Sequence, residues 1–432
     1  MKSITASFNS NATRYLSLLL SEVHMLSSVI HTISHSWNDR LLRIAFLAIL
    51  FMGTAVASVA PFQSVIGIEQ LGFSNASYAI IVFMGSVFSV VISVSVGIYC
   101  DQTGRYREIL LASITMGIFA GLLMWVLPSK LSFLAVHIVL FPLGSTIFTQ
   151  AFAMANLAAR RNKALDRDMS MSIVRAGFAG SFALTPPVWA LLMSNGFELL
   201  SVYGYVAIIQ FIIMILVLTS WPKKTPTQES EKSGIGFLAS VGELANMSIF
   251  IRLLLVSTMM GANTLYNILL GLLILNNMGG TEPDVGWFAG GVALLEVPIM
   301  LLGAVFLRHV TRTQLMLIGM IIYTGFLIGL GTITNMNYAW FLIIPAGIGA
   351  GIILSIPLAY IQDLKADRPG AGSSLISITQ VVGTVIASTA FASGSAITGY
   401  QGVAFIGAAM GFSAALILLL VDMKKPQNAT AK

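Results

Sequence analysis

GIYCDQTGRYRE, residues 97–108, closes one apolar run at 77–99 and opens the next at 108–127. Each run is about the 20 residues an α-helix needs to cross roughly 30 Å of hydrocarbon. Within the stretch, Gly97 permits close helix contact and Gly104 a tight reversal at φ > 0. Asp101 can face a helix N-terminus, while Arg105 and Arg107 can hold acidic groups or lipid phosphate. Read without its surroundings, the same stretch is a basic turn between two helices.

The alternation of long apolar run and short polar turn continues in both directions. It predicts twelve spans, at 43–63, 77–99, 108–127, 131–156, 170–193, 200–220, 250–274, 285–307, 313–333, 338–361, 371–396 and 401–421. Composition agrees: of 432 residues 56% are hydrophobic and 9% charged, against about a quarter charged in soluble domains. The mean hydropathy is +0.88. A water-soluble enzyme is excluded, and so is an outer-membrane barrel, whose strands alternate in stretches of about ten residues. Cys100 is the single cysteine, so no intrachain disulfide or thiolate metal cluster forms.

The basic residues orient the spans. With both termini cytoplasmic, all but Lys130 and Arg175 of the 23 Lys and Arg fall on the cytoplasmic side. The opposite side carries Lys130 with Glu69, Glu198, Glu282 and Asp284. A shift of one helix in the count would scramble this asymmetry. The positive charge therefore reads as topology, and no nucleic-acid partner is expected.

The polar connection WPKKTPTQESEKSG at 221–234 carries proline and charges of both signs, as a flexible linker does. It divides the chain into a segment 1–42, a six-helix half 43–220, a cytoplasmic linker 221–249, a second six-helix half 250–421 and a tail 422–432. A short internal repeat supports the division: setting Ser172 on Ser377 places Ile173 on Ile378 and Arg175 on Gln380. In the first segment Leu16, Leu19, Leu20, Val23, Leu26 and Val29 recur at helical spacing, which fits an interfacial helix, with a disordered tail as the other reading.

Chemistry is sparse. No phosphate-binding G-x-x-x-x-G-K-[ST] loop, Ser/His/Asp set or HExxH motif is present, so neither an ATP-driven pump nor an enzyme is expected, and no cofactor or metal. Two ionisable residues lie within spans: Arg175 near the cytoplasmic end of the fifth, and Glu296 near the middle of the eighth. A charge at membrane depth costs several kcal/mol unless paired or hydrated, which makes each a functional candidate. Pro186, Pro187 and Pro298 nearby remove backbone donors and offer bends. Intramembrane amides and hydroxyls complete a candidate site: Thr149, Gln150, Asn263, Thr264, Tyr266, Asn267, Tyr360, Gln362 and Gln380. Amides and aromatic faces suit a neutral polyhydroxyl ligand, and helix–helix hydrogen bonding explains the same residues equally well.

The pattern G-x-x-x-D-x-x-G-R-x-R after the second of twelve spans resembles the signature loop of the major facilitator superfamily. The resemblance implies an all-α membrane fold of two pseudo-symmetric six-helix halves, with Asp101 and Arg105 latching the cytoplasmic side. The equivalent second loop, GAVFLRHVTRT from Gly303, keeps Gly303 and an arginine, Arg312, but has Leu307 and Val310 where Asp and Gly would stand, so the latch is expected to be one-sided.

Four blocks are similar to bacterial sugar efflux transporters of that superfamily: MSMSIVRAGFAGSFALTPPVWALL at 169–192, ANTLYN at 262–267, LLEVPIMLLGA at 294–304 and YIQDLKADRPGAGSSL at 360–375. Leu269 departs from the family, where an acidic residue stands. The resemblance implies an inner-membrane monomer exporting sugars or glycosides against proton entry. Arg175, Asn263, Tyr266, Asn267, Gln150 and Gln380 would bind substrate and Glu296 would carry the proton. Gly97, Asp101, Gly104, Arg105, Arg107, Gln362 and Asp363 would gate. If spans five and eight face each other, Arg175 and Glu296 come within pairing reach, as coupling partners or as structural glue. An exporter of amphipathic drugs with the same fold is the alternative, and a non-transporting receptor or scaffold the third reading.

Overall fold

The structure, a computed structural model, describes Trp37 and residues 39–161, 167–221, 246–307, 309–364 and 369–423. The first 36 residues, most of the 221–249 connection and the tail from 424 onward lie outside the described residues, as does the side chain of Asp101.

Helix α1 (Arg40–Val59) starts where the Asp39 carboxylate accepts from the amides of Leu41 and Leu42 at 3.0 Å. A short π-helical stretch (Val65–Gln70) leads to α2 (Asn75–Thr103). Gly104 ends α2 in the left-handed region at φ 67, donating to the Cys100 carbonyl, which gives the expected tight reversal. After α3 (Tyr106–Val126), α4 runs through Lys130–Ala135, a π turn at Val136–Leu140, and Phe141–Arg161. The first half closes with α5 (Arg167–Ser194) and α6 (Ser201–Ser220).

The second half opens with α7 (Met247–Asn277) and α8 (Glu282–Phe306). α9 (Arg312–Thr332) begins in a capping box between Thr311 and Gln314. α10 comprises Met336–Ala339, a 3₁₀ turn at Trp340–Leu342 and Ile343–Asp363. The helical stretch Pro369–Met423 is 55 residues long, which straightened would exceed twice the hydrocarbon thickness. Gly399, at φ 68 and ψ −177, breaks it in a region of backbone space open to glycine, giving α11 before and α12 after. Eleven stretches are long and apolar enough to span a membrane, and the last is this double one, so the spans number twelve among the described residues.

Within the first half α1 packs on α4, α5 and α6, and α3 on α4 and α6. In the second, α7 packs on α11 and α12, α8 on α10, and α9 on α10 and α12. Large apolar side chains left on the outside, such as Leu131, Leu184, Leu301 and Phe341, suit lipid.

Two crossings join the halves: α5 with α8, and α2 with α11. At the first, Gly286 and Gly290, four residues apart on α8, receive Pro186 and Pro187 of α5. A Cβ on Gly286 would sit 2.5 Å from the Pro186 carbonyl oxygen. The consecutive prolines are thus a packing surface, matched by the small-residue spacing that lets membrane helices approach.

Among the described residues, three hydrogen bonds join the halves at the acid-rich end. Asn276 donates to Glu69 at 2.9 Å, Gln70 to Glu282 at 3.4 Å, and the Tyr400 hydroxyl to Asn75 at 3.1 Å. Tyr78 meets Phe391 edge-on beside them, with ring centroids 6.2 Å apart. At the basic end the ion pairs stay inside the second half: Arg252 with Asp422 at 2.8 Å, and Arg312 with Asp363. A Cβ on Gly97 there would meet nothing within 4 Å among the described residues. Among the described residues, the halves are bonded to each other at the acid-rich end.

Candidate functional site

A cavity of about 550 Å³ lies between the halves. The first half contributes α1 through Met52, Val56 and Gln63, α2 through Ser86 and Ser89, α4 through His137, Phe141 and Ser145, and α6 through Gln210. The second contributes Met260, Asn263 and Thr264 on α7, Leu354 on α10, and Gln380 and Thr384 on α11. None of the described residues lining it is an Asp, Glu, Lys or Arg.

Its first-half wall is built on the π turn of α4. The wider turn carries His137, whose Nε2 is 2.8 Å from the Tyr203 hydroxyl of α6, while the His137 carbonyl faces Gly85 so closely that a Cβ there would lie 2.6 Å from it. Phe133 lies tilted by 36° against the imidazole with centroids 4.1 Å apart, and Phe141 stacks near-parallel to Tyr203 at 6.1 Å. On α6, Gln210 is 2% exposed. Its amide nitrogen reaches the Met52 sulfur at 3.3 Å, and its carbonyl oxygen is buried with no hydrogen-bond partner.

The second-half wall leads away to Glu296. Asn263 accepts from the Tyr323 hydroxyl of α9 at 2.9 Å. Tyr323 belongs to an aromatic cluster with Tyr266 and Phe326, with centroids 5.2–6.5 Å apart. Glu296, half-buried on α8, is within electrostatic reach of both tyrosines.

Of the residues expected to bind substrate, Asn263 and Gln380 line the cavity. Tyr266 is buried in the aromatic cluster behind Asn263, and Asn267 is exposed one turn further along α7. Gln150 is turned away: it is 3% exposed and donates to Ser113 of α3 and Thr146 of its own helix, which is helix-to-helix bonding inside the first half. Arg175 is exposed on α5 with its guanidinium 5.4 Å from the centre of the Phe152 ring, a cation–π contact. It and Glu296 form no ion pair; among the described residues the ion pairs are Arg252–Asp422 and Arg312–Asp363.

The expected gating residues sit at the basic end. Gly97 and Arg105 are exposed, and Gly104 makes the turn. Arg107 has its Nε buried without a partner. The side chain of Asp101 lies outside the described residues. Gln362 is exposed, while Asp363 is bound by Arg312, which also donates to the Ala359 carbonyl at 3.1 Å. The second half thus ties its own α9 to α10 through this arginine.

Gln63, His137, Gln210 and Tyr323 carry no motif that singles them out in the sequence. The signal for Gln210 was a lone amide inside SVYGYVAIIQFIIMILVLTS, an otherwise almost wholly apolar span. Nothing local distinguishes Tyr323 from a lipid-facing tyrosine.

The sequence profile of the Major Facilitator Superfamily matches residues 45–388 and 252–432, which together take in both halves. The chain belongs to the Major Facilitator Superfamily. It is a multi-pass membrane transporter of that superfamily. Sugar efflux transporter B of Salmonella typhimurium is 26% identical over 88% of this chain and 93% of its own length. Sugar efflux transporter A of Dickeya chrysanthemi is 26% identical over 79% of this chain and 86% of its own. The crystal structure of the nucleoside transporter NupG superposes with a TM-score of 0.73 at 16% identity, covering 89% of this chain and 99% of that one, a likeness of fold.

Proposed function

We infer that the chain exports sugars or glycosides against proton entry, as a monomer in a bacterial cytoplasmic membrane. The observation that carries this reading is the cavity between the halves, whose largely apolar wall holds a set of amides and hydroxyls and an aromatic face, with no charged side chain among its described lining. Such a lining presents donors and acceptors together, which suits a neutral polyhydroxyl solute. The efflux relatives support the same direction and substrate class.

In this reading the basic end and both termini are cytoplasmic, and the division 43–220 and 250–421 marks two bodies that rock about the cavity, joined by the linker 221–249. The state described here, bonded at the acid-rich end, is the one that admits solute from the cytoplasm. Solute meets Asn263 and Gln380 in the cavity, and Arg175 lies on the approach from the basic end. Rocking breaks the Glu69–Asn276 and Asn75–Tyr400 bonds and closes the basic end, where Gly97 offers room for an arriving helix and Asp101 with Arg105 latches it. Glu296 carries the proton. It loads when the site faces outward and releases to the cytoplasm, and the Tyr323–Asn263 bond connects it to the solute.

The test is loss of preloaded radiolabelled lactose or methyl glucoside from membrane vesicles, with and without an imposed pH gradient. Gradient-dependent loss faster than in vesicles lacking the protein, and slowed by Arg175→Ala, is the expected result. Equal loss for every sugar tried, with the protein folded in the membrane, overturns the sugar reading.

A further inference from the structure

We propose that Gln210 is a specificity-determining residue that accepts a hydroxyl hydrogen of the solute, beside an aromatic platform formed by Phe141, so that the first half supplies the grip on a neutral sugar ring. The inference rests on the sugar-export reading above and names the subsite within it.

Gln210 carries an unmet hydrogen bond. The Gln210 carbonyl oxygen is buried and without a partner, and the amide nitrogen of the same side chain reaches only a thioether sulfur, a weak acceptor. Gln150 also has a buried carbonyl oxygen without a partner, but its amide nitrogen is spent on Ser113 and Thr146 and it does not line the cavity. Gln210 has no hydroxyl, amide or carbonyl partner at either end, and it lines the cavity. Its place is also cleared for it: a Cβ on Gly117 of α3 would lie 2.9 Å from the Gln210 Cδ, so glycine there is what lets the amide stand as it does. A polar group kept buried, unsatisfied and sterically accommodated beside a solute-sized space fits a group awaiting a ligand.

The neighbouring wall supplies the other half of sugar recognition. Phe141 lines the cavity and is fixed from behind by the parallel ring of Tyr203 and, at 86° and 5.1 Å, by His137. A held aromatic face packs against the C–H face of a pyranose, while hydroxyls at the ring edge reach amides such as Gln210 and, across the cavity, Asn263 and Gln380. With no charged side chain in the described lining, an anionic sugar of equal size finds nothing to replace its lost hydration.

The experiment compares wild type, Gln210→Leu and Gly117→Ala in vesicles preloaded with radiolabelled lactose, and repeats the assay with methyl glucoside and with glucuronate. Each variant's amount and its thermal midpoint in detergent are measured alongside. Gln210→Leu is expected to slow lactose and methyl glucoside loss about tenfold while leaving the thermal midpoint unchanged or higher, because an unsatisfied amide has been replaced by a side chain of similar size. Gly117→Ala, which displaces the amide, is expected to slow loss in the same direction. Wild type is expected to pass glucuronate poorly.

Wild-type rates in Gln210→Leu overturn this proposal and leave sugar export standing. A lower thermal midpoint with a proportionate loss of folded protein makes Gln210 helix glue and overturns it as well. Wild type inactive on every neutral sugar removes the sugar reading, and the subsite falls with it.

Discussion

The Tyr323 hydroxyl donates to the Asn263 side-chain oxygen at 2.9 Å, joining a cavity-lining amide of α7 to an aromatic cluster whose tyrosines lie within electrostatic reach of Glu296. Two sites that share no described lining residue are connected by this bond. In the proposed export cycle, solute on Asn263 and a proton on Glu296 would both bias this tyrosine, which is the kind of shared element that linked binding requires.

Tyr323→Phe keeps the ring packing against Tyr266 and Phe326 and removes the bond alone. A typical internal hydrogen bond is worth about 0.5–1.5 kcal/mol, so the half-saturation concentration for sugar is expected to rise roughly two- to tenfold. The gain in efflux from an imposed pH gradient is expected to shrink by more than the rate without one. Titrating efflux against lactose concentration at two gradients separates these effects, and an unchanged gradient response removes the link.

Glu69 and Asn276, with Asn75 and Tyr400, bond the two halves together at the acid-rich end. Asn276→Leu combined with Tyr400→Phe removes two bonds between halves and is expected to shift the equilibrium toward opening at that end by about tenfold or more. Cys100 replaced by Ala leaves a chain free of thiols, so a cysteine introduced at Ser89 reports access to the cavity. Faster labelling of that cysteine by an impermeant maleimide from the acid-rich side is the expected outcome. No change would mean that the contacts left intact, the Gln70–Glu282 bond and the two helix crossings, suffice to join the halves at that end.

At that crossing, Gly286→Ala would press a methyl group into the Pro186 carbonyl. Overpacking a tight contact costs about 1–3 kcal/mol, so the thermal midpoint in detergent is expected to fall. Gly180→Ala on α5 meets nothing within 4 Å and gains helix propensity, so its midpoint is expected to hold or rise slightly. The pair tests whether the proline–glycine fit, rather than glycine flexibility, matters there.

The helix count was legible because a bilayer imposes one length on every span and the turns between them are short and charged. Even the α11–α12 break stands beside Gly399, at the gap between two predicted runs. The candidate site was legible only in part, since residue type along a span does not say which face looks inward. Asn263 and Gln380 do line the cavity, but Gln150 is occupied by Ser113 and Thr146, partners that the fold alone brings together. Gln210 and Tyr323 were hidden for the converse reason, each being a single polar group on an apolar helix whose meaning comes from what stands opposite. The orientation of Pro186 and Pro187 against Gly286 and Gly290 likewise depends on two helices distant in sequence.

Arg252 and Asp422 offer the last test, because their pair fastens the start of α7 to the end of α12 with Tyr360 of α10 as a third member. Arg252 is 4% exposed and donates to Asp422 at 2.8 Å and to the Ser248 carbonyl at 3.0 Å, and the Tyr360 hydroxyl donates to the other Asp422 oxygen at 2.9 Å. Removing one partner leaves a charge with poor hydration and no counter-ion, so Arg252→Leu or Asp422→Leu alone is expected to destabilise the second half by about 3 kcal/mol. Removing both is expected to cost less than the sum, since the double variant strands no charge. Unfolding measured for the four members of this cycle gives the coupling directly. Additive effects would show that the two side chains act independently, and the basic end of the second half would then be held by apolar packing.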